Sequence, residues 1–130
     1  MKPPFRADHV GSLLRPPGLA DARKRKDRDF QEHAIRDAVR NQESIGLQAI
    51  TDGEFSRDWW HLDFMAQLAG VAVTRNPGPK FGGTEEQPPI PAVTGTVAYS
   101  KPIMVEDFAF LKRATSRTAK FTIPSPSMLH

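Results

Sequence analysis

The stretch LQAITDGEF, Leu47–Phe55, decides the fold class, because a short apolar segment leads directly to a glycine between two carboxylates. Residues 47–51 have the length and composition of a buried strand. A helical pattern precedes them and a polar turn follows. Helix, strand and polar turn in this order are typical of an α/β protein with a parallel sheet. Reactive groups in such sheets gather at the carboxyl ends of strands, so Asp52 and Glu54 become candidate site residues.

The helix before this strand is predicted from apolar residues that recur every three or four positions over residues 30–45. Gln31, Asn41 and Gln42 interrupt its apolar half. Gly46 is predicted to end the helix, because glycine readily adopts the left-handed conformation that closes many helices. The residues predicted to face the core are Phe30, Ala34, Ile35, Ala38, Val39 and Ile45.

A second helix is predicted to begin near residues 56–57, with Ser56 as its N-terminal cap. Its buried stripe would hold Trp60, Phe64 and Leu68, which recur at intervals of four. The later elements continue the α/β pattern. They are a proline- and glycine-rich loop or hairpin excursion over 75–91, a strand over 92–99, a helix over 105–115 and a strand over 119–123.

The composition is that of a globular protein, with 38% hydrophobic and 25% charged residues among 130. The absence of cysteine excludes a disulfide or a thiolate metal site in this chain.

No stretch is suited to spanning a membrane, and the N-terminus lacks the apolar core of a secretory signal, so we expect a cytoplasmic protein. The basic cluster Arg23–Arg28 is interpreted as a solvated segment rather than a nucleic-acid site, because no aromatic residues are interleaved with it.

Three blocks of sequence carry a family resemblance: FRADHVGSLLRP, GLQAITDGEFSRDWW and KFTIPSPSMLH, in that order. Together they resemble the cobalamin-independent methionine synthase family, and most closely its short, single-barrel branch. The resemblance runs from Phe5 to His130. It implies the N-terminal part of a TIM barrel, with about three of the eight strands and a proline- and glycine-rich excursion. Residues 1–130 would then form a single incomplete barrel domain.

The resemblance also implies a reaction, the transfer of a methyl group from a polyglutamylated methyltetrahydrofolate to the thiol of homocysteine in methionine biosynthesis. In the family, a zinc ion binds the thiol and favours the thiolate. The expected partners are therefore small-molecule substrates, with neither nucleic acid nor membrane.

Two turns are implied to bind the amino-acid substrate. Gly11 and Ser12 would hold its carboxylate, and Glu54 would hold its ammonium group. The chemistry agrees, because backbone N–H groups and a hydroxyl donate hydrogen bonds to a carboxylate, whereas a carboxylate accepts them from an ammonium. A plain turn with Ser12 as a helix cap is an equal alternative for the first group, and a structural salt bridge is the alternative for Glu54.

His9 and Asp52 are secondary candidates. Asp52 occupies a place where larger family members carry histidine, so it would contact substrate or cap the second helix. His9 would bind substrate, orient Asp52 or serve as a structural histidine. His61 and Asp63 are not expected to share a metal ion, since residues two apart face different sides of a helix. Trp59 and Trp60 are expected to serve core and lid packing rather than pterin stacking, and no catalytic residue is assigned.

A TIM barrel takes about 250 residues, so this chain is expected to stop just after its third barrel strand. The family's zinc ligands, a histidine, two cysteines and a glutamate, lie in the later half. We therefore expect no metal ligand and no bound cofactor in this chain, no activity from it alone, and either self-association or a complementary barrel half. Two alternatives stay open: another thiol alkyl transfer on the same scaffold, such as the opening of an epoxide, and a non-catalytic chain or barrel-completing subunit.

Overall fold

The computed structural model describes residues 7–75 and 89–129, which belong to two compact units. The first unit holds residues 7–58 and 104–122, and the second holds residues 59–75, 89–103 and 123–129. The elements are, in chain order, α1 (Leu19–Lys24), α2 (Arg28–Ser44), β1 (Ala49–Ile50), α3 (Leu62–Met65), β2 (Ala69–Arg75), β3 (Pro89–Ala98), α4 (Val105–Ala114), β4 (Thr118–Ala119) and a 3-10 turn (Pro126–Leu129).

The sheet of the first unit is parallel, as the sequence predicts. Strand β1 pairs with β4, so that Ala49 lies opposite Thr118 and Ile50 opposite Ala119. Helix α4 precedes β4 within this unit, which gives the strand–helix–strand order of an α/β protein. Both strands are shorter than predicted, with two paired residues each. The predicted strand before Asp8 falls mainly on residues outside the described part of the chain.

Helix α2 is capped by a side chain at its N-terminus and by a glycine at its C-terminus. The Asp27 carboxylate accepts a hydrogen bond from the backbone N–H of Phe30, at 3.0 Å. At the other end Gly46 has a φ of 92°, and the N–H of Leu47 donates to the carbonyl of Gln42 at 3.1 Å. This is the hydrogen bond of a Schellman motif. The prediction that Gly46 ends the helix is confirmed.

The core of the first unit lies between α1, α2, α4 and the two strands. Phe30 and Ile45 were predicted to belong to it, but they are 39% and 76% exposed. Both lie at the ends of α2, where they line an open groove instead of the core. The buried core residues are Leu19, Ala34, Ile35, Ala38, Val39, Ile50, Phe55, Phe110 and Leu111.

The predicted helix from residues 56–57 is wrong, because turns occupy the chain until α3. Ser56 donates its hydroxyl to Asp52 Oδ2 at 3.1 Å and caps no helix. The N–H of Arg57 donates to the carbonyl of Glu54 at 3.1 Å, which continues the series of turns. Helix α3 is a single turn and has buried residues at Leu62 and Met65.

The aromatic residues of this stretch do not form the predicted buried stripe. Trp60, predicted to lie in that stripe, is 45% exposed and Trp59 is 42% exposed, which contradicts core packing for both; their predicted lid packing stays a prediction. Phe64 and Leu68 are half-buried.

The second unit contains an antiparallel hairpin of β2 and β3, with Val71 opposite Val93 and Arg75 opposite Pro89. The register shifts between Ala69 and Val71, at Gly70, whose φ is 74°. A Cβ at Gly70 would lie 2.4 Å from the carbonyl oxygen of Thr96, so this irregularity requires glycine. The strands flank the proline- and glycine-rich stretch, of which residues 76–88 lie outside the described part.

The strand predicted over 92–99 is confirmed, and it begins three residues earlier than expected, in β3. The helix predicted over 105–115 is confirmed as α4. Among residues 7–75 and 89–129, none of the helices is long and apolar enough to cross a membrane.

Candidate functional site

The turn after β1 is buried despite its polar residues. Thr51, Asp52 and Glu54 are 1%, 2% and 4% exposed. The backbone adopts the left-handed conformation twice in succession, with a φ of 70° at Gly53 and 60° at Glu54. For a residue with a side chain this conformation costs about 1–2 kcal/mol, and such residues cluster at functional sites. The turn therefore stores backbone strain at Glu54.

Asp52 shapes this turn from within. Its Oδ1 accepts a hydrogen bond from the N–H of Glu54 at 3.0 Å, and its Oδ2 accepts one from the Ser56 hydroxyl at 3.1 Å. Both carboxylate oxygens thus bind groups of the turn itself. Asp52 does not cap a second helix, because no helix begins at these residues.

The carboxylate of Glu54 lies beside β4. Its Oε1 accepts a hydrogen bond from the Thr122 hydroxyl at 2.8 Å, and Arg57 Nη1 lies 4.0 Å from the same oxygen. Arg57 is fully buried, donates to the backbone carbonyl of Thr122 and lies over the ring of Phe121 at 4.6 Å. The salt bridge considered for Glu54 is therefore present, and the described contacts of its carboxylate all use Oε1.

The segment with Gly11 and Ser12 lies against the same turn. The Thr51 hydroxyl donates to the carbonyl of Gly11 at 2.8 Å, and the N–H of Leu13 donates to the carbonyl of Gly53 at 3.1 Å. These two hydrogen bonds flank Ser12, which is exposed. The structure thus joins the two turns that were predicted to hold the substrate.

Thr122, which follows β4, requires glycine at position 11. A Cβ at Gly11 would lie 2.8 Å from Thr122 Cγ2, closer than side-chain carbons approach one another. Thr122 therefore hydrogen-bonds the turn of Glu54 through its hydroxyl, and its methyl group leaves no room for a side chain at Gly11.

His9 does not contact Asp52 as considered from the sequence. Its Nε2 lies 2.8 Å from Oε1 of Gln42. Lys120 secures the same segment, because its ammonium group donates to the carbonyl of His9 and to both carboxylate oxygens of Asp8. The hydrogen bond from Lys120 lowers the pKa of Asp8.

Sequence reasoning missed four residues that build the site: Gln42, Thr51, Arg57 and Thr122. The sequence did mark Gln42, as a polar residue within the apolar half of α2. The structure shows that it is 3% exposed. The sequence did not mark Arg57 and Thr122, since they meet across 65 positions of sequence.

The described residues do not fit the zinc site that the family resemblance implies. The chain has no cysteine. In the part of the chain that the structure describes, no three His, Asp or Glu residues come together to hold a metal ion. His9 faces Gln42, and His33 is an exposed residue of α2 that faces Asp37.

Comparison with known proteins gives a consistent family. A family model described as the catalytic domain of cobalamin-independent synthase matches residues 17–128. A Bacillus subtilis protein named "Uncharacterized protein YxjH" is 41% identical over 98% of this chain and 37% of its own length. A 5-methyltetrahydropteroyltriglutamate–homocysteine methyltransferase of Bradyrhizobium diazoefficiens is 34% identical over 95% of this chain and 17% of its own length.

A solved structure shares the fold of this chain. It is a Listeria monocytogenes protein assigned as a vitamin-B12-independent methionine synthase, with a TM-score of 0.73 and 38% identity. The match covers 96% of this chain and 37% of the Listeria chain. The chain therefore spans little more than a third of the length of the Bacillus and Listeria relatives.

Proposed function

This chain belongs to the cobalamin-independent synthase family, in its catalytic domain, and we propose that it carries the amino-acid-binding part of a methyltransferase. The methyl donor would be a polyglutamylated methyltetrahydrofolate and the acceptor the thiol of homocysteine, the substrates in the name of the Bradyrhizobium relative. One observation carries the proposal: the Gly11–Ser12 segment and the turn of Glu54 are hydrogen-bonded to each other at the end of β1.

The fold we propose is part of a TIM barrel, with about three of its eight strands. The parallel pairing of β1 with β4, and the position of α4 before β4, support this architecture. The third strand would precede Asp8, and the β2–β3 hairpin would be the excursion. The candidate site then lies at the carboxyl ends of the strands, where TIM-barrel enzymes place their substrates.

In the proposed complex, the two turns bind the two charged groups on the α-carbon of homocysteine. The carboxylate accepts hydrogen bonds from the backbone and hydroxyl of the Gly11–Ser12 turn. The ammonium group donates to Oε2 of Glu54, because Oε1 already binds Thr122. The ammonium would join Arg57 as a second cation beside Glu54, since a carboxylate has two oxygens that accept hydrogen bonds.

The reaction forms a bond between the homocysteine sulfur and the methyl carbon, and it breaks the bond between that carbon and a folate nitrogen. The nitrogen keeps the electron pair and takes up a proton, which gives tetrahydrofolate and methionine. The described residues are proposed to hold and orient the amino acid. Neither deprotonation of the thiol nor any other chemical step is assigned to them.

We propose small molecules as the ligands of this chain and the cytoplasm as its location. Residues 24–26 and Arg28 of the basic cluster are exposed, which supports a solvated segment, whereas the Arg23 side chain is 10% exposed and lies 3.4 Å from Asp58. We also propose that the 130-residue chain associates with itself or with a complementary barrel half, since an incomplete barrel, built on the two described parallel strands and the strand proposed before Asp8, leaves open edges that favour association. A dispersed monomer in light scattering would contradict this.

The direct test of the function compares homocysteine with 4-mercaptobutanoic acid, which lacks only the amine. Calorimetry on the chain in its associated form should show clearly tighter binding of homocysteine. Equal affinities would contradict an amino-acid site and would favour a different thiol alkyl transfer. Turnover with the folate donor then tests whether the bound thiol is the methyl acceptor.

A further inference from the structure

Gln42 is a buried polar residue on the core-facing side of α2, and its side-chain amide makes four hydrogen bonds. Its Nε2 donates to the carbonyl of Ala38 at 3.0 Å and to that of Thr51 at 2.9 Å. Its Oε1 accepts from the N–H of Thr51 at 2.9 Å and lies 2.8 Å from His9 Nε2. Two donors and two lone pairs are the full capacity of an amide, so its orientation is fixed.

This arrangement also places a proton on Nε2 of His9. An amide oxygen only accepts hydrogen bonds, so the ring nitrogen facing Gln42 Oε1 must be the one that carries a proton. Gln42 thereby joins helix α2 to the segment before Gly11 and to the residue that follows β1. A polar residue in a core is retained at a cost in desolvation, which a simple packing role would not require.

Thr51 connects Gln42 to the two turns of the candidate site by hydrogen bonds. Both of its backbone polar groups bind Gln42. Its hydroxyl donates to the carbonyl of Gly11 at 2.8 Å and accepts from the N–H of Gly53 at 3.1 Å. One hydroxyl group is therefore bonded to both turns of the candidate site, on the Ser12 side and on the Glu54 side.

We propose that Gln42 and Thr51 are positioning residues that set the separation between the carboxylate-binding and ammonium-binding turns, and so select α-amino acids. This inference rests on the proposed function. An α-amino acid holds its two charged groups on one carbon atom, so the two turns must be kept at a fixed spacing. The Thr51 hydroxyl is the side-chain group that bonds to both turns, beside the direct backbone hydrogen bond from Leu13 N–H to the Gly53 carbonyl, and the Gln42 amide holds the Thr51 backbone in place.

The first test measures amide hydrogen exchange by NMR in the wild type and in Thr51→Val, which has nearly the same shape without the hydroxyl. The Gly53 N–H loses its acceptor, while the Leu13 N–H keeps the Gly53 carbonyl as a partner that is held less firmly. We expect the Gly53 N–H to exchange about tenfold faster, the effect of losing one hydrogen bond, and the Leu13 N–H to exchange faster as well. The amide of Val39, in the middle of α2, is the internal standard, because a loss of global stability would accelerate it equally. Unchanged exchange at Gly53 and Leu13 relative to Val39 would overturn the proposal.

The second test measures selectivity, which a purely structural role would leave unchanged. Calorimetry gives the ratio of affinities for methionine and for 4-(methylthio)butanoic acid, its analogue without the amine. We expect this ratio to fall about fivefold in Thr51→Val, the equivalent of one net hydrogen bond. Thr51→Ser keeps the hydroxyl and should keep the ratio. If Thr51→Val does not fold, Thr51→Ala removes the same hydroxyl and leaves room for water.

The outcomes separate this inference from the proposed function. A wild-type protein that binds both ligands equally overturns the proposed function and the positioning role with it. A wild type that prefers methionine, together with hydroxyl-free variants that keep the full preference, overturns the positioning role alone. A reduced preference in the hydroxyl-free variants that returns in Thr51→Ser supports it.

Discussion

The hydroxyl of Thr122 donates a 2.8 Å hydrogen bond to Oε1 of Glu54, across 68 positions of sequence. Glu54 follows β1 and Thr122 follows β4, the two strands that pair in parallel. The bond therefore joins the carboxyl ends of neighbouring strands, where α/β proteins gather their reactive groups. It also occupies one oxygen of the carboxylate, and in the proposed complex the other oxygen binds the ligand.

Replacing Arg57 should destabilise the fold strongly. Its side chain is 1% exposed and lies 4.0 Å from Glu54, so Arg57→Met leaves a buried carboxylate without its cation. We expect a loss of about 3–5 kcal/mol in the free energy of unfolding, measured with urea. Arg40→Met is the control, because Arg40 pairs with Asp37 at the surface, where an ion pair contributes less than about 1 kcal/mol. Equal losses in the two variants would contradict the structural role of Arg57.

Gly53→Ala should cost more stability than Gly46→Ala. Both glycines have a positive φ, of 70° and 92°, so each substitution carries a backbone penalty of about 1–2 kcal/mol. At Gly53 the new Cβ would also lie 2.9 Å from the buried ring of Phe55, whereas nothing lies within 4 Å at Gly46. We expect an additional loss of about 1–3 kcal/mol for Gly53→Ala in urea unfolding. If Gly53→Ala and Gly46→Ala lose the same amount of stability, the predicted clash between a Cβ at position 53 and Phe55 is refuted.

Asp107→Asn should stabilise the fold at neutral pH. Burial raises the pKa of this carboxyl in the first turn of α4; Arg28 opposes the rise, Asp52 adds to it, and Arg57 and Arg23 oppose it. Between the ordinary value of about 3.9 and the raised pKa, the folded chain binds more protons than the unfolded chain. Stability therefore falls as the pH rises through this window, and Asp107→Asn removes that fall.

The measurement is urea unfolding of the wild type and Asp107→Asn between pH 4 and 7. The neighbouring Glu106→Gln is the control, because Glu106 is exposed in the same helical turn. An Asp107→Asn variant less stable than the wild type at pH 7 would show that the carboxylate makes a favourable contact that outweighs its burial.

The 130-residue chain should retain no stoichiometric zinc after dialysis. It has no cysteine, and the described residues bring no three His, Asp or Glu side chains together. Elemental analysis of the dialysed chain measures this directly. One zinc ion retained per chain would refute the prediction, and His9→Ala and His61→Ala would then identify which histidine binds it.

Local chemistry allowed much of the fold to be predicted. Gly46 adopts the left-handed conformation and ends α2. The short apolar segment after it forms a parallel strand, as its composition and its place after a helix predicted. The helix from Ser56 failed because Asp52 takes the Ser56 hydroxyl, and because the left-handed Glu54 continues the turn. Helix propensities take no account of this hydrogen bond or of the left-handed backbone at Glu54.

The site was predictable only in part, for a related reason. Glu54 follows β1, as the sequence order predicts, and the strand predicted before Ser12 falls mainly on residues outside the described part of the chain. Arg57 is buried by Thr122 and Phe121, which lie more than sixty positions away, so its place depends on tertiary contacts. Gln42 interrupts an apolar pattern, but only the structure shows the partners that satisfy its amide.

The central claim is that Glu54 binds the ammonium group of an amino-acid substrate, and calorimetry with methionine and homocysteine on Glu54→Gln tests it most directly. Glutamine keeps the size of the side chain and removes its charge. We expect affinity to fall by about 1.5–3 kcal/mol, the value of one charge-assisted hydrogen bond. Glu106→Gln, the same change at an exposed position, should bind like the wild type. Unchanged affinity in a folded Glu54→Gln variant would contradict the account.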